Sequence, residues 1–120
     1  MTNFEKTQNR QKNSADVIAK IKTARDEARF KVHVYENLTS KRYDYWRAVT
    51  AIRAYDQALA MLQQGTEQQI PDMAATALAD FEYARDDDPT ATEMSLAVAE
   101  GRKDALASVA DWMTDEESNR

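Results

Sequence analysis

Apolar side chains recur at helical spacing along this chain, most clearly in its first half. No glycine or proline occurs from Ser14 to Gln64, so nothing in that range breaks a helix. One stripe there advances by three, four or seven residues, and a second advances by three or four with a single polar member. The first comprises Val17, Ile21, Ala24, Ala28, Tyr35 and Leu38; the second comprises Leu38, Lys41, Tyr45, Ala48, Ile52, Tyr55, Leu59 and Leu62. This pattern predicts long helices that pack on each other.

The change from one stripe to the other allows two arrangements of residues 14–64. Asn37, Thr39 and Ser40 are weak helix formers that can cap a helix end. The chain either turns back there as an antiparallel hairpin or continues as one helix ~75 Å long. We prefer the hairpin, because a single straight helix of that length would almost require a dimer. At the start of this segment, Asn13 or Ser14 is predicted to cap the first helix.

Turn and capping signals divide the second half of the chain into two further helices. Gly65 is placed as the residue that ends the long segment, and Pro71 suits the first turn of a helix near 71–85. That helix should stop at the Asp86–Pro89 segment. The sequence Thr-Ala-Thr-Glu at positions 90–93 then reads as a capping box that opens a last helix near 91–113.

Each of these two helices has a predicted buried face. The members are Ala74, Ala77, Leu78, Phe81 and Ala84 in one helix, and Met94, Val98, Gly101, Ala105, Val109 and Trp112 in the other. Gly101 in a helix interior costs about 1 kcal/mol relative to alanine, so a close helix–helix contact is expected there.

Together these elements predict an all-α fold, a three- or four-helix bundle built from long antiparallel helices. Residues 1–13 are expected to be a flexible polar N-terminus, 14–113 a single helical domain and 114–120 an acidic tail. The polar start shows no secretory signal, and no segment approaches the roughly 20 apolar residues that cross a bilayer. The sequence therefore predicts a cytoplasmic protein without a membrane partner.

The composition excludes several chemistries. His33 is the only histidine and the chain has no cysteine, so it cannot by itself build a zinc site, an iron–sulfur site or a cysteine nucleophile. The two glycines, Gly65 and Gly101, are too far apart to form a phosphate-binding loop. We therefore expect no enzyme activity, no cofactor and no metal site.

Charge is distributed unevenly between the two halves of the chain. Residues 1–64 contain 12 Lys and Arg against seven Asp and Glu, which gives +5, whereas residues 65–120 contain four against 14, which gives −10. The simplest interpretation is that both halves are solvated or face each other. The asymmetry also suggests two binding functions.

In the first hypothesis, the acidic half binds a basic surface of another protein. An accessory, adaptor or inhibitor protein, of the kind that mobile elements encode, fits this size and composition. The candidate binding residues are Asp80, Asp86, Asp87, Asp88, Glu93 and Glu100, with Trp46 as an aromatic anchor.

In the alternative hypothesis, the basic half binds nucleic acid. Cationic side chains would contact phosphates and an aromatic ring would stack on a base. The candidates are Lys22, Arg25, Arg29, Arg42, Tyr43 and Arg47. The helical stripes are also compatible with self-association as a homo-oligomer.

Overall fold

The protein is a bundle of four helices. A computed structural model describes the backbone from Asn3 to Ser118 and the side chains from Ser14 to Thr114. The helices are α1 (Asn3–Tyr35), α2 (Arg42–Gln64), α3 (Ile70–Asp86) and α4 (Glu93–Ser118), with short 3-10 turns at Thr39–Lys41 and Glu67–Gln69. No strand occurs in the described part of the chain. The all-α fold predicted from the sequence is confirmed.

Residues 14–64 form the hairpin and not the single long helix. The guanidinium group of Arg42 donates to the carbonyl oxygens of Tyr35 and Glu36, each at 2.8 Å. These are carbonyls at the end of α1, which have no partner within the helix. The same guanidinium lies 4.5 Å from the ring centroid of Tyr45. The first residue of α2 therefore caps α1, and the chain reverses direction between them.

The bundle is flattened, with α2 and α4 in the middle. α2 and α4 make the most extensive contact, whereas α1 packs mainly on α2 and α3 packs on α4. Contacts between α2 and α4 advance together along both helices, from Tyr43–Glu100 through Arg47–Asp104 to Tyr55–Trp112, so the two helices run parallel. The molecule measures 55 × 31 × 23 Å.

Gly101 is the point of closest approach between α2 and α4, as the sequence predicts. A Cβ atom at this position would lie 2.3 Å from the carbonyl oxygen of Arg47. Since that oxygen belongs to the backbone, it cannot move away by a change of rotamer. Only glycine lets the two helix backbones come this close.

Two connected apolar clusters form the core. The larger lies at the end of the bundle where α1 and α2 meet the start of α3, and the smaller lies between α2, α3 and α4. The first contains Val17, Ile21, Ala58, Leu59, Met61, Ile70 and Val109; the second contains Ala54, Ala77, Ala105 and Leu106. Alanine at the packing points keeps the helices close together.

The buried face of α2 differs from the predicted stripe. Ala54, Ala58 and Met61 are buried, whereas Ile52 is only half-buried and Lys41 is exposed. The reason is that α2 packs on two sides, against α1 and α4, so its most buried face lies between the two contacts. Leu38 is 44% exposed because it lies in the turn that joins α1 to α2.

Three residues predicted to be buried in α3 and α4 are exposed. Leu78 is 45% exposed, Met94 51% and Val98 36%. α3 packs mainly on α4, so its buried stripe is narrow. Tyr43, in the first turn of α2, is level with Glu100, so the first turn of α4 extends beyond the start of α2 and Met94 is left uncovered.

The helix ends match the sequence in two places and differ in two others. Gly65 ends α2 with φ of 76°, and Pro71 lies in the first turn of α3, both as predicted. The capping box of α4 lies two residues later than predicted: the Ser95 N–H donates to Thr92 Oγ1 at 3.0 Å, and the Thr92 N–H donates to Ser95 Oγ at 2.8 Å. α1 begins at Asn3, so the predicted cap at residues 13–14 is wrong.

The side chains of residues 1–13 and 115–120 lie outside the described ones. The flexible N-terminus and the acidic tail predicted there therefore stay predictions. Within the described residues, none of the helices combines the length and the apolar character needed to span a bilayer.

Candidate protein-binding surface

Acidic side chains concentrate at one edge of the bundle. We call residues 72–93, which comprise most of α3, the loop after it and the first residue of α4, the acidic edge. It contains seven acidic residues and one basic residue, Arg85. Because α3 packs mainly on α4, most of its circumference faces solvent, and these charges lie on the exposed side.

Two of the seven carboxylates have local partners. Asp86 accepts two hydrogen bonds from the guanidinium group of Arg85, both at 2.8 Å, which lowers the pKa of Asp86. Asp88 accepts from the hydroxyl of Thr90 at 2.7 Å and from its N–H at 2.9 Å, which lowers the pKa of Asp88. Both groups therefore stay negatively charged in mildly acidic solution.

The other five carboxylates of the acidic edge lack a directly bound partner, and we call them uncompensated in this sense. They are Asp72, Asp80, Glu82, Asp87 and Glu93, all exposed. Among the side chains that the structure describes, none of the five makes a hydrogen bond or an ion pair. Positive charge near the acidic edge comes from Arg85, which is paired with Asp86 and also attracts Glu82, and from Lys103 of α4, whose ammonium group lies 4.5 Å from the ring centroid of Phe81.

Glu100 belongs to a different group of side chains, at the contact between α2 and α4. It accepts a short hydrogen bond from the hydroxyl of Tyr43, and the guanidinium of Arg47 lies 3.7 Å away. Arg47 also donates to Asp104 at 2.7 Å. Burial and the hydrogen bond to Glu100 raise the pKa of Tyr43 to about 12. Of the predicted acidic site, Glu100 is thus engaged within the fold and does not lie on the acidic edge.

The basic residues of the alternative hypothesis are mostly engaged within the fold. Arg25 donates to Asp56 at 3.2 Å, and Arg29 lies 3.5 Å from Asp26. Arg42 caps α1, while Arg47 and Tyr43 bind the carboxylates of α4. Lys22 is exposed and has no ion pair among the described side chains. The predicted set is therefore spread over two helices and does not form a continuous cationic surface.

The two tryptophans have different surroundings. Trp112 stacks on Tyr55 with a centroid distance of 6.5 Å and packs against the larger core cluster. Trp46 is half-buried on α2 and meets Tyr45 edge to face at 5.2 Å. A partly exposed tryptophan is a common anchor at protein interfaces. Trp46 is therefore partly accessible to solvent, whereas Trp112 packs against the core.

A cleft of about 260 Å³ separates the second half of α1 from α2 and α4. Its lining contains several small residues, five alanines and Gly101, and also includes Glu27, Lys31, Tyr35, Asp44, Tyr55 and Asp104. Its charged residues have both signs, and Asp104 is bound by Arg47. Among the described residues, no group of three or more acidic or histidine side chains is placed to hold a metal ion.

Sequence reasoning missed the exposed apolar residues Met94 and Val98. Both continue the helical period of the buried stripe on α4, and no signal in the sequence shows where α2 stops covering that stripe.

No family model, curated protein or solved structure matches this chain.

Proposed function

We propose that this protein is a non-catalytic binding protein whose acidic edge binds a basic surface of another protein. The observation that supports the proposal is the contrast between the two halves of the chain. Arg25, Arg42 and Arg47 of the basic half are bound to carboxylates or carbonyls of the fold, whereas five carboxylates of the acidic edge are uncompensated.

The charge of the acidic edge favours a protein partner over a nucleic acid. Phosphate groups would be repelled by the carboxylates, whereas lysine and arginine side chains would be attracted. Such a field mainly increases the association rate and orients the partner, and it contributes less to affinity. A small accessory, adaptor or inhibitor protein would use the surface in this way.

The nucleic-acid alternative has less support, because most of its cationic candidates already bind acidic or carbonyl groups of the chain. To reach phosphates, Arg25 and Arg47 would first have to leave Asp56 and Asp104. That exchange would expose two carboxylates to the phosphates.

Neutralising the uncompensated acids tests the proposal. The probe is an immobilised peptide of alternating lysine and serine, and association rates are measured by surface plasmon resonance at low and high salt. The triple variant Asp80→Asn/Asp87→Asn/Glu93→Gln should associate more slowly at low salt, by on the order of tenfold. High salt should remove most of the difference, because it screens exposed charges.

The control changes the net charge equally but elsewhere on the surface. The triple variant Asp16→Asn/Glu36→Gln/Asp111→Asn neutralises three exposed acids that lie outside the acidic edge. Its association rate should stay close to that of the original chain. Equal slowing in both triple variants would mean that net charge alone attracts the probe, and the acidic edge would lose its assigned role.

A further inference from the structure

An exposed apolar row lies beside the acidic edge, on a face of the α2–α4 pair. The guanidinium of Arg102 on α4 donates to Gln57 Oε1 on α2 at 3.1 Å, so these two residues define one face of the pair. Val98 and Met94 precede Arg102 by four and eight residues and share its face of α4. Trp46 precedes Gln57 by eleven residues, three helical turns, and shares its face of α2.

Val98 lies within about one to two turns of the level of Trp46, and Met94 lies about one turn further towards the start of α4, beyond the start of α2. The carbonyl oxygen of Arg47, next to Trp46, meets Gly101, which is three residues from Val98. Met94 is 51% and Val98 36% exposed, and Trp46 is half-buried. In the described part of the chain no element covers Met94, since α2 begins at Arg42, level with the second turn of α4. The isolated chain therefore leaves about half of Met94 and part of Val98 and Trp46 exposed to solvent.

Charge indicates which occupant fits this row. Glu93 is adjacent to Met94, and Asp87 and Asp88 lie in the loop that leads into α4. Arg102, the cation on the same face of α4, lies about two turns from Met94 and binds Gln57. A second copy of this chain related by a two-fold axis that passes near Met94 would bring these carboxylates close to their own copies, which is unfavourable. An anionic membrane surface would be repelled in the same way. A segment with apolar and basic residues would satisfy both the row and the carboxylates.

We infer that Trp46, Met94 and Val98 form a docking row for the apolar face of a basic amphipathic helix of a partner protein, and this inference rests on the function proposed above. Two neighbouring helices form a shallow groove between their rows of side chains. Another helix binds such a groove through apolar residues at i, i+3, i+4 and i+7. Its lysine and arginine residues would then face the acidic edge.

Two peptides of identical composition separate the contribution of apolar contacts to binding from the contribution of charge. The first places leucine at i, i+3, i+4 and i+7 among lysines, and the second has the same residues in an order without an apolar face. The dissociation constant of each peptide is measured by isothermal titration calorimetry. We expect the amphipathic peptide to bind more tightly than the scrambled one, by on the order of tenfold.

A double variant locates that difference on the structure. Met94→Ser/Val98→Ser should reduce the ratio of the two dissociation constants to near one and leave binding of the scrambled peptide unchanged. Both residues are exposed, so the fold should tolerate the change, and far-UV circular dichroism verifies it. The control Phe30→Ser removes another exposed apolar side chain, on α1, and should keep the ratio of the original chain.

Emission from Trp46 gives a second readout in the background of Trp112→Phe, where Trp46 is the single tryptophan. It should shift to shorter wavelength with the amphipathic peptide only. A tenfold ratio that survives Met94→Ser/Val98→Ser, or equal binding of both peptides, would overturn the docking row and leave the proposed function standing. If neither peptide binds, the proposed function itself is contradicted.

Discussion

Replacing Gly101 by alanine should destabilise the bundle, although alanine is the better helix former. In an unhindered helix interior this change gains about 1 kcal/mol. Here the new Cβ atom would lie 2.3 Å from the carbonyl oxygen of Arg47, and ordinary contact begins near 3.4 Å. α2 and α4 would have to separate by about 1 Å, because the obstructing atom belongs to the backbone.

The cost of that separation exceeds the gain in helix propensity. Overpacking a tight contact costs about 1–3 kcal/mol, and a clash with backbone belongs at the upper end of that range. The separation also lengthens the hydrogen bond between Arg47 and Asp104, now 2.7 Å. We expect Gly101→Ala to lower the free energy of unfolding by about 2 kcal/mol.

Urea denaturation followed by far-UV circular dichroism measures this difference. The control is Ala107→Gly, at an exposed position of the same helix, which reports the local propensity term alone and should cost about 1 kcal/mol. If Gly101→Ala instead stabilises the protein by the amount that the control predicts, the close approach of α2 and α4 is refuted.

Three further outcomes follow from the caps, the titrating groups and the charges. Thr92→Ala should cost about 1 kcal/mol of stability in urea denaturation, because Thr92 caps α4, and Thr90→Ala should cost less. In an absorbance titration, the difference between the original chain and Tyr43→Phe should show an ionisation near pH 12, and Glu100→Gln should lower that pKa. Because the folded pKa of Tyr43 lies above its unfolded value of 10.0, its contribution to stability is complete below pH 10 and declines as the pH rises towards 12. The chain should flow through a heparin column at low salt, and retention that salt reverses would favour the nucleic-acid alternative.

The sequence predicted helices, their order and several of their ends, because those features depend on local patterns. Gly65 and Pro71 act within one turn of the chain, and the contact at Gly101 was expected from the cost of glycine in a helix. The hairpin was correctly preferred, but its cause, the capping of α1 by Arg42, depends on a contact between two helices.

The errors concern features that depend on how the helices are assembled. Ala54 and Ala58 have small side chains that contribute little to a hydrophobic pattern. A stripe of larger side chains, including Ile52, was therefore taken as the most buried face of α2. The sequence predicted Met94 to be buried, since its spacing continues a buried stripe. The exposure of Met94 depends on where α2 begins. The spacing of apolar residues along α4 does not contain that information.

The candidate site was predictable in part. Composition alone located negative charge in the second half of the chain, but not which carboxylates have partners. Glu100 was included with the acidic surface, although it binds Tyr43 and lies near Arg47 on α2, more than 50 residues away in sequence. Ion pairs between distant segments follow from the tertiary fold.

Mapping a cationic probe on the isotope-labelled chain by NMR tests the central claim most directly. The alternating lysine–serine peptide is titrated in, and chemical-shift changes of the backbone amides are recorded residue by residue. If the uncompensated carboxylates attract a basic partner, the largest changes fall between residues 72 and 93 and disappear with Asp80→Asn/Asp87→Asn/Glu93→Gln. Changes spread evenly over all four helices, or centred on α1, would contradict it.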